Sequence, residues 1–275
     1  YFSIFLVLTL LNSCGGGNKN APDLMSTTPI EENNSSETPD TNNIIFIPKE
    51  TFETQEYNNQ WGLEFINAAD AYSFGASGKG VVVGVVDEAL DWSHHEFLKE
   101  NILHPDSILT YRGKREPTPL EKFHGTATSA IIAGRKDDEP IERNMHGIAY
   151  NAQILFVAVE LGSPPVDFEY KPLDIEAFSW ERFDEEESLF YKELSSKTDV
   201  INNSFGFTGQ ITDYSKEILE NTFPKLIETF ATEQDTIFVW SAGNYNGIID
   251  TEGSEVKASD PGVLAGLSYY FPELK

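Results

Sequence analysis

A chain of 275 residues with 40% hydrophobic content can bury one substantial core, so we expect one main domain. Forty-five acidic residues against nineteen basic ones give a formal net charge of −26. A field of that sign repels nucleic acid and anionic lipid headgroups, so the composition argues against polyanion-binding functions and is typical of a well-solvated surface.

Residues 1–14 have the order of a bacterial export signal. The run from Tyr1 to Leu11 is almost wholly apolar, but it is shorter than the about 20 residues that a bilayer crossing needs. Cys14, the only cysteine, stands between a small residue and a run of glycines, as in lipoprotein signals whose cysteine is lipidated. We therefore expect an exported chain, held at the outer membrane or cell surface by a lipid on Cys14. The alternatives are an ordinary cleaved signal or a buried strand, each with an incidental cysteine.

Residues 15–60 are assigned to a flexible polar spacer. Gly15 to Asn43 is rich in Asn, Ser, Thr, Pro and Glu, so it cannot bury enough apolar surface to fold. The short apolar run Ile44-Ile45-Phe46-Ile47 is predicted to dock on the domain that follows. Such a spacer would let a folded domain, residues 61–275, stand off a membrane.

Strand and helix patterns alternate through residues 61–275. Apolar residues with helical spacing run from Trp61 to Ala71. Four continuous, β-branched runs are typical of strands buried on both faces, namely Val81–Val86, Ile154–Val159, Val200–Asn202 and Thr236–Trp240. Helical patterns separate them at Gly125–Ala133, in parts of Asp174–Leu194, and at Ser215–Thr232. We predict an α/β fold: a doubly wound parallel sheet with helices on both faces, incomplete at its C-terminal end.

Two chemical groups stand at the ends of these elements. Asp87 directly follows the run Val81–Val86, and side chains at the carboxyl ends of parallel strands line the ligand crevice. An acid in this place is also common as a turn or cap residue. His124 opens a helix of small residues that can pack closely against the sheet and hold the imidazole near Asp87. A polar surface histidine is the alternative, but a surface helix would carry Lys and Glu.

Two further strand ends carry small residues. In Ser241-Ala242-Gly243-Asn244 the Asn244 amide suits donation to the oxyanion that forms when a carbonyl is attacked. An ordinary Asn-containing turn is the alternative there. In Ser204-Phe205-Gly206 the serine and glycine suit an extended peptide laid alongside the strand. A plain exit from strand to loop explains that second segment equally well.

Five ordered landmarks resemble the subtilisin-like serine peptidases. They are Val-Val-Asp ending at Asp87 with Asp91, His94, Glu96 and Phe97; His124-Gly125-Thr126-Ala127 with Ile131-Ile132-Ala133-Gly134; Gly147–Ala152; Val200–Gly206; and Ser241–Asn244. The resemblance implies Asp87 as the triad acid, His124 as the general base and Asn244 as the oxyanion-hole side chain. It also implies that Ser204, Phe205, Gly206, Ser241, Ala242 and Gly243 flank the pocket for the residue before the cut.

The implied activity is hydrolysis of peptide bonds in protein or peptide substrates by an Asp-His-Ser triad. No Gly-Thr-Ser-x-Ala block occurs, and only Ser254, Ser259 and Ser268 follow Asn244, none in such a setting. The chain also begins with Tyr1 rather than Met. We therefore interpret it as a fragment whose nucleophile lies beyond Lys275.

Some positions depart from the family pattern. Glu88 and Ala89 stand where Thr or Ser and then Gly are usual, and Ala127 replaces a second histidine. His-Gly-Thr-Ala, a lipidated cysteine and a spacer together resemble the serine autotransporters of Gram-negative bacteria, which implies a β-barrel translocator beyond Lys275. The resemblance also implies calcium binding as a family property. Because His95, His104 and His146 are scattered and no ligand cluster stands out, neither a metal nor another cofactor is assigned.

Two rival functions remain open. The first is a catalytically dead subtilisin-like module that binds peptides or partners, favoured by Glu88 and Ala89. The second is a different α/β hydrolase or a dinucleotide-binding protein. Gly78, Gly80 and Gly84 lie before and inside the first strand rather than after it, where a phosphate-binding loop belongs, so this rival is disfavoured.

Overall fold

The computed structural model describes residues 46–91, 93–103, 121–137, 144–159, 180–206, 210–243 and 261–274. The predictions for Cys14, for residues 15–45 and for Asn244 lie outside this part of the chain. Its helices are α1 (Gln55–Asn58), α2 (Trp61–Phe65), α3 (Ala68–Ser73), α4 (Glu121–Ala133), α5 (Trp180–Ser195), α6 (Lys216–Thr222), α7 (Pro224–Thr232) and α8 (Leu267–Tyr270). None of these helices combines the length and the apolar character that crossing a bilayer requires.

Five strands form one sheet, β1 (Val82–Asp87), β2 (Ile102–Leu103), β3 (Gln153–Ala158), β4 (Val200–Asn203) and β5 (Ile237–Trp240). Their order in the sheet is β2-β3-β1-β4-β5, and every pair is parallel. The predicted parallel α/β fold is therefore confirmed, and the four predicted strands agree with the observed ones to within one residue at each end. β2 was not predicted, because two residues are too few to show a pattern.

Alternate residues of the central strands enter different cores. On β3, Ile154 and Phe156 belong to one cluster, whereas Leu155 and Val157 belong to the other. The first cluster also holds Ala133 of α4, and the second holds Leu194 of α5. The sheet is thus covered on both sides, which explains why its strands read as continuous apolar runs.

Two predicted helices are interrupted. The helical pattern from Trp61 to Ala71 is divided between α2 and α3 at Asn67, whose φ of 55° is left-handed and ends regular helix geometry. The pattern Ser215–Thr232 is divided at Phe223, because Pro224 begins α7 and cannot continue α6. A third helix, α4, begins earlier in the chain than predicted. It starts at Glu121, so His124 lies in its first turn and does not open the helix.

The part of the predicted spacer that the structure describes is folded, so the predicted boundary at residue 60 is wrong. A 3₁₀ turn spans Lys49–Thr51, and α1 places Glu56 and Tyr57 in buried positions. Tyr57 packs in a small core with Leu63, Ala68, Ala69 and Tyr72. The predicted docking of the apolar run is observed for its last residues, since the backbone N–H of Ile47 donates to the Ser73 carbonyl at 3.3 Å.

A carboxylate from another helix caps α7. The first residue of α7 is Pro224, and the N-cap residue of α7, Phe223, makes no side-chain hydrogen bond to the helix. Asp184 of α5, 2% exposed, instead accepts hydrogen bonds from the backbone N–H groups of Lys225 and Leu226 at 3.0 and 2.9 Å. The acid-rich helix that the pattern in Asp174–Leu194 predicted therefore includes one buried structural acid.

We expect Asp184→Ala to lower the free energy of unfolding by about 2 kcal/mol, because two N–H donors at the start of α7, of which that of Leu226 is buried, lose a charged acceptor. Urea denaturation monitored by circular dichroism measures this loss. Glu181→Ala, an exposed acid in the same helix, is the control and should change the value by less than about 0.5 kcal/mol. Equal effects of the two substitutions would contradict the capping role.

Candidate active site

Asp87 is the last residue of β1 and is fully buried. Its Oδ1 accepts a hydrogen bond from the Glu88 backbone N–H at 2.7 Å, and its Oδ2 accepts one from the Thr128 hydroxyl at 3.0 Å. A carboxylate can stay charged in such a place only when donors of this kind replace water. The sequence prediction placed Asp87 at the carboxyl edge of the sheet, and the structure places it there.

His124 reaches Asp87 from α4. Its Nδ1 lies 2.7 Å from Asp87 Oδ1, and its side chain is 25% exposed. The hydrogen bond that His124 donates to Asp87 raises the pKa of His124 above its ordinary value of 6.5, burial opposes this shift, and the charges of Asp87 and Glu88 add to it. With Nδ1 hydrogen-bonded to the carboxylate, the Nε2 atom is the ring nitrogen left to exchange a proton with another group.

Two contacts bring α4 close enough for this bond. A Cβ added at Gly125 would lie 2.7 Å from the Phe156 ring and still nearer to the Ala89 carbonyl oxygen, so only glycine fits there. The hydroxyl of Thr126 accepts a hydrogen bond from the Asp91 backbone N–H at 2.8 Å. The loop that follows Asp87 is thereby fastened to the first turns of α4.

Ala89 causes no backbone strain. In the described part of the chain, Asn67 is the one non-glycine residue with a positive φ. Ala89 is 2% exposed and packs beside α4. The loss of the glycine that the family pattern has here therefore does not by itself indicate a degenerate site.

The raised pKa of His124 predicts how stability depends on pH. The folded chain binds this proton more tightly than the unfolded chain, so the stabilisation is complete below the ordinary pKa of 6.5 and is lost as pH rises through the higher folded value. We expect the free energy of unfolding, measured by urea denaturation, to fall as the pH rises from 6.5 through the folded pKa of His124. The fall should be steeper in the wild type than in His124→Gln. A difference between the two chains that stays constant with pH would contradict this.

The two predicted pocket segments lie at the same sheet edge. β1 pairs with β4 through Val86 and Asn203, and β4 pairs with β5 through Asn203 and Trp240, so the chain leaves all three strands side by side. The Ser241 hydroxyl donates to the Phe205 carbonyl at 3.2 Å, which joins the two segments directly.

Side chains at this edge differ in exposure. Ser204 and Phe205 are half-buried, whereas Gly206, Ser241, Ala242 and Gly243 are exposed. The Phe205 ring packs edge-on against Trp240 at 5.7 Å, a contact that anchors the segment. Gly243 has a φ of 106°, a conformation that favours glycine.

Histidines away from Asp87 have structural surroundings. His94 Nδ1 accepts the Glu96 backbone N–H at 3.3 Å, and burial is the main cause that lowers the pKa of His94. His146 is buried beside Tyr57, Tyr72 and Tyr150. Among the residues that the structure describes, no group of three or more His, Cys, Asp or Glu side chains is placed to hold a metal ion.

Sequence reasoning missed Gly125, Thr126 and Thr128 as parts of the site. For Thr128 a signal was present, since it follows His124 by one helical turn and so lies on the same face of α4. For Gly125 the run of small residues predicted a close approach of α4 to the sheet. No local pattern indicates its contact with Ala89, or the contact of Thr126 with Asp91, both in the loop after Asp87.

Comparison with known proteins gives consistent matches. A family model described as the subtilase family matches residues 78–273. An extracellular serine protease of Serratia marcescens is 34% identical over 106 residues, which cover 38% of this chain and 10% of that protein. Neuroendocrine convertase 2 of Mus musculus is 22% identical over 209 residues, 70% of this chain and 28% of that protein. The chain thus matches only a small part of the length of these curated relatives.

Solved structures of proteases also resemble the chain. Fervidolysin from Fervidobacterium pennivorans, a keratinolytic enzyme related to subtilisin, is 20% identical with a TM-score of 0.41, covering 74% of this chain and 26% of that one. The serine protease MycP1 of a type VII secretion system is 17% identical with a TM-score of 0.44, covering 70% of this chain and 49% of that one.

Proposed function

We propose, from the premise that this chain belongs to the subtilase family, that it supplies the acid and the base of a serine endopeptidase. The observation that carries the proposal is the 2.7 Å contact between Asp87 Oδ1 and His124 Nδ1 at the carboxyl edge of the sheet. A buried carboxylate paired with a partly exposed imidazole is the arrangement that acyl transfer by a serine needs.

In the proposed mechanism His124 Nε2 takes the proton from a serine hydroxyl as the oxygen bonds to the substrate carbonyl carbon. Asp87 fixes the tautomer in which Nδ1 carries the proton, and it stabilises the imidazolium that forms. His124 then protonates the departing amine, and a water molecule repeats the steps to release the acyl group as a carboxylic acid. We place the serine beyond Lys275.

The substrate is proposed to be a protein or peptide bound in extended form. Ser204–Gly206 follows β4, the neighbour of β1, and Ser241–Gly243 follows β5 on the far side of β4. The two segments expose small residues to which a peptide backbone can come close. Asn244 follows directly and is proposed to donate its amide to the oxyanion, an interaction worth about 3 kcal/mol.

Covalent labelling distinguishes an active serine peptidase from a catalytically dead binding module. The product of the complete coding region is treated with a fluorophosphonate, and the adduct is located by mass spectrometry. We expect an adduct on a serine beyond residue 275 that disappears in His124→Ala. Capture of peptides without any adduct would favour the binding module and overturn the proposal.

Attachment to a membrane is proposed on sequence alone. Homologues named as extracellular proteases support export, and the order of apolar run, Cys14 and glycines supports lipidation of Cys14. We expect a fatty-acid analogue fed to a bacterial host that expresses the chain to label the wild type and not Cys14→Ser. Equal labelling of both chains would contradict the anchor.

A further inference from the structure

The two oxygens of the Asp87 carboxylate are held by different parts of the molecule. Oδ1 receives the Glu88 backbone N–H and faces His124 Nδ1, each at 2.7 Å. Oδ2 receives the Thr128 hydroxyl at 3.0 Å, the one hydrogen bond to this oxygen within the described ranges. Because the carboxylate is fully buried, water cannot replace a donor that is lost.

The Thr128 side chain is well placed for this contact. Its hydroxyl lies 3.1 Å from the Gly125 carbonyl and 3.0 Å from Asp87 Oδ2. A hydroxyl has one proton to donate, and the charged carboxylate is the stronger acceptor. Threonine in a helix occupies few χ1 rotamers, so the hydroxyl is held at this position by its own side chain.

The residue next to Asp87, Glu88, gives its backbone N–H to Oδ1 and not to Oδ2. Thr128 and His124 stand one turn apart on α4, so a single helix presents both the imidazole and the hydroxyl to the same carboxylate. Any shift of α4 moves both contacts together.

We propose that Thr128 is a positioning residue for the acid–base pair, whose hydroxyl holds Asp87 Oδ2 and so keeps Oδ1 directed at His124 Nδ1. Without it the carboxylate can rotate about its Cβ–Cγ bond, and the bond to the imidazole opens more often. The catalytic importance of this contact rests on the proposed function. The contacts of Asp87 with Thr128 and His124 are present in the 275-residue chain itself.

The test measures exchange of the His124 Nδ1 proton with water by NMR in ¹⁵N-histidine-labelled chain. Only five histidines are present, and His124→Gln assigns the signal. We expect Thr128→Val, which keeps the side-chain shape but removes the hydroxyl, to exchange about tenfold faster than the wild type. Thr128→Ser, which keeps the hydroxyl, should stay within about twofold of the wild type.

Ser129→Ala is the matched control. Ser129 is the next residue of α4 and fully buried, and its hydroxyl has no hydrogen-bond partner within the described residues. Removing that hydroxyl should leave the His124 exchange rate unchanged. If Thr128→Val also leaves it unchanged, the positioning role is overturned.

Further outcomes separate this proposal from the proposed function. A wild-type chain without a protected Nδ1 proton would overturn both. A protected proton that depends on Thr128, in a protein whose complete coding product forms no serine adduct, would overturn only the peptidase. If Thr128→Val does not fold, Thr128→Ala takes its place. If both fail to fold while Thr128→Ser folds, the hydroxyl is structural and the positioning role is overturned.

Discussion

Gly125→Ala is expected to lower the free energy of unfolding by about 3 kcal/mol or more, the upper range for overpacking a close contact. The added methyl group would lie 2.7 Å from the Phe156 ring and nearer still to the backbone oxygen of Ala89. Neither atom can yield easily, since one belongs to the main chain and the other to a buried ring of β3. Relief therefore requires α4 to move away from the sheet.

The same movement should separate the acid–base pair. As His124 leaves Asp87, its pKa should fall back toward the ordinary value of 6.5, which an NMR titration measures. Gly62→Ala is the control, because Gly62 also lies in a helix but has no atom within 4 Å of an added Cβ. That substitution should raise stability by about 0.5–1 kcal/mol. Equal stabilities of the two variants would refute the close approach.

Asp87→Asn is expected to lower kcat of the complete coding product by about 10³- to 10⁴-fold, if the peptidase proposal holds. The asparagine amide would donate to Nδ1 instead of accepting from it. The imidazole would then carry its proton on Nε2 and could not take one from a serine. Initial rates on a peptide p-nitroanilide give kcat and KM separately, and KM should change little because Asp87 is buried away from the substrate.

Asp70→Asn is the matched substitution on an exposed acid. Asp70 has a side chain that is 54% exposed and a weak ion pair with Lys49 at 3.8 Å. Loss of this ion pair should leave kcat within about twofold of the wild-type value, because ion pairs at the surface contribute little. An Asp87→Asn enzyme that keeps wild-type turnover would mean that Asp87 is only a structural acid at the strand end.

The fold was predictable where burial alone determines the pattern. Strands such as Ile154–Val157 are apolar at every position because both faces of the sheet are covered. Positions set by distant contacts were not predictable. The Asp184 carboxylate caps a helix some forty residues later in the chain, and nothing in the acidic stretch distinguishes it from its exposed neighbours. Tyr57 orders the end of the predicted spacer by packing against residues that follow it.

The residues of the candidate site were likewise predicted only in part from the sequence. Asp87 and His124 were predicted together because their motifs occur in the family's order, and the structure brings them into contact. The sequence analysis missed Thr128, although it follows His124 by one helical turn on the same face of α4, because its role depends on a carboxylate oxygen in another element. The predictions for Asn244 and Cys14 lie outside the described residues and rest on sequence alone.

The catalytic role of the Asp87–His124 pair is tested by the ratio of kcat/KM for peptide hydrolysis between the wild-type product of the complete coding region and its His124→Ala variant. We expect a ratio of about 10⁴ or more, because the serine would lose its general base. A ratio near one in an active enzyme would contradict the role given to Asp87 and His124. A wild-type product that binds peptides without cleaving them would contradict the peptidase itself.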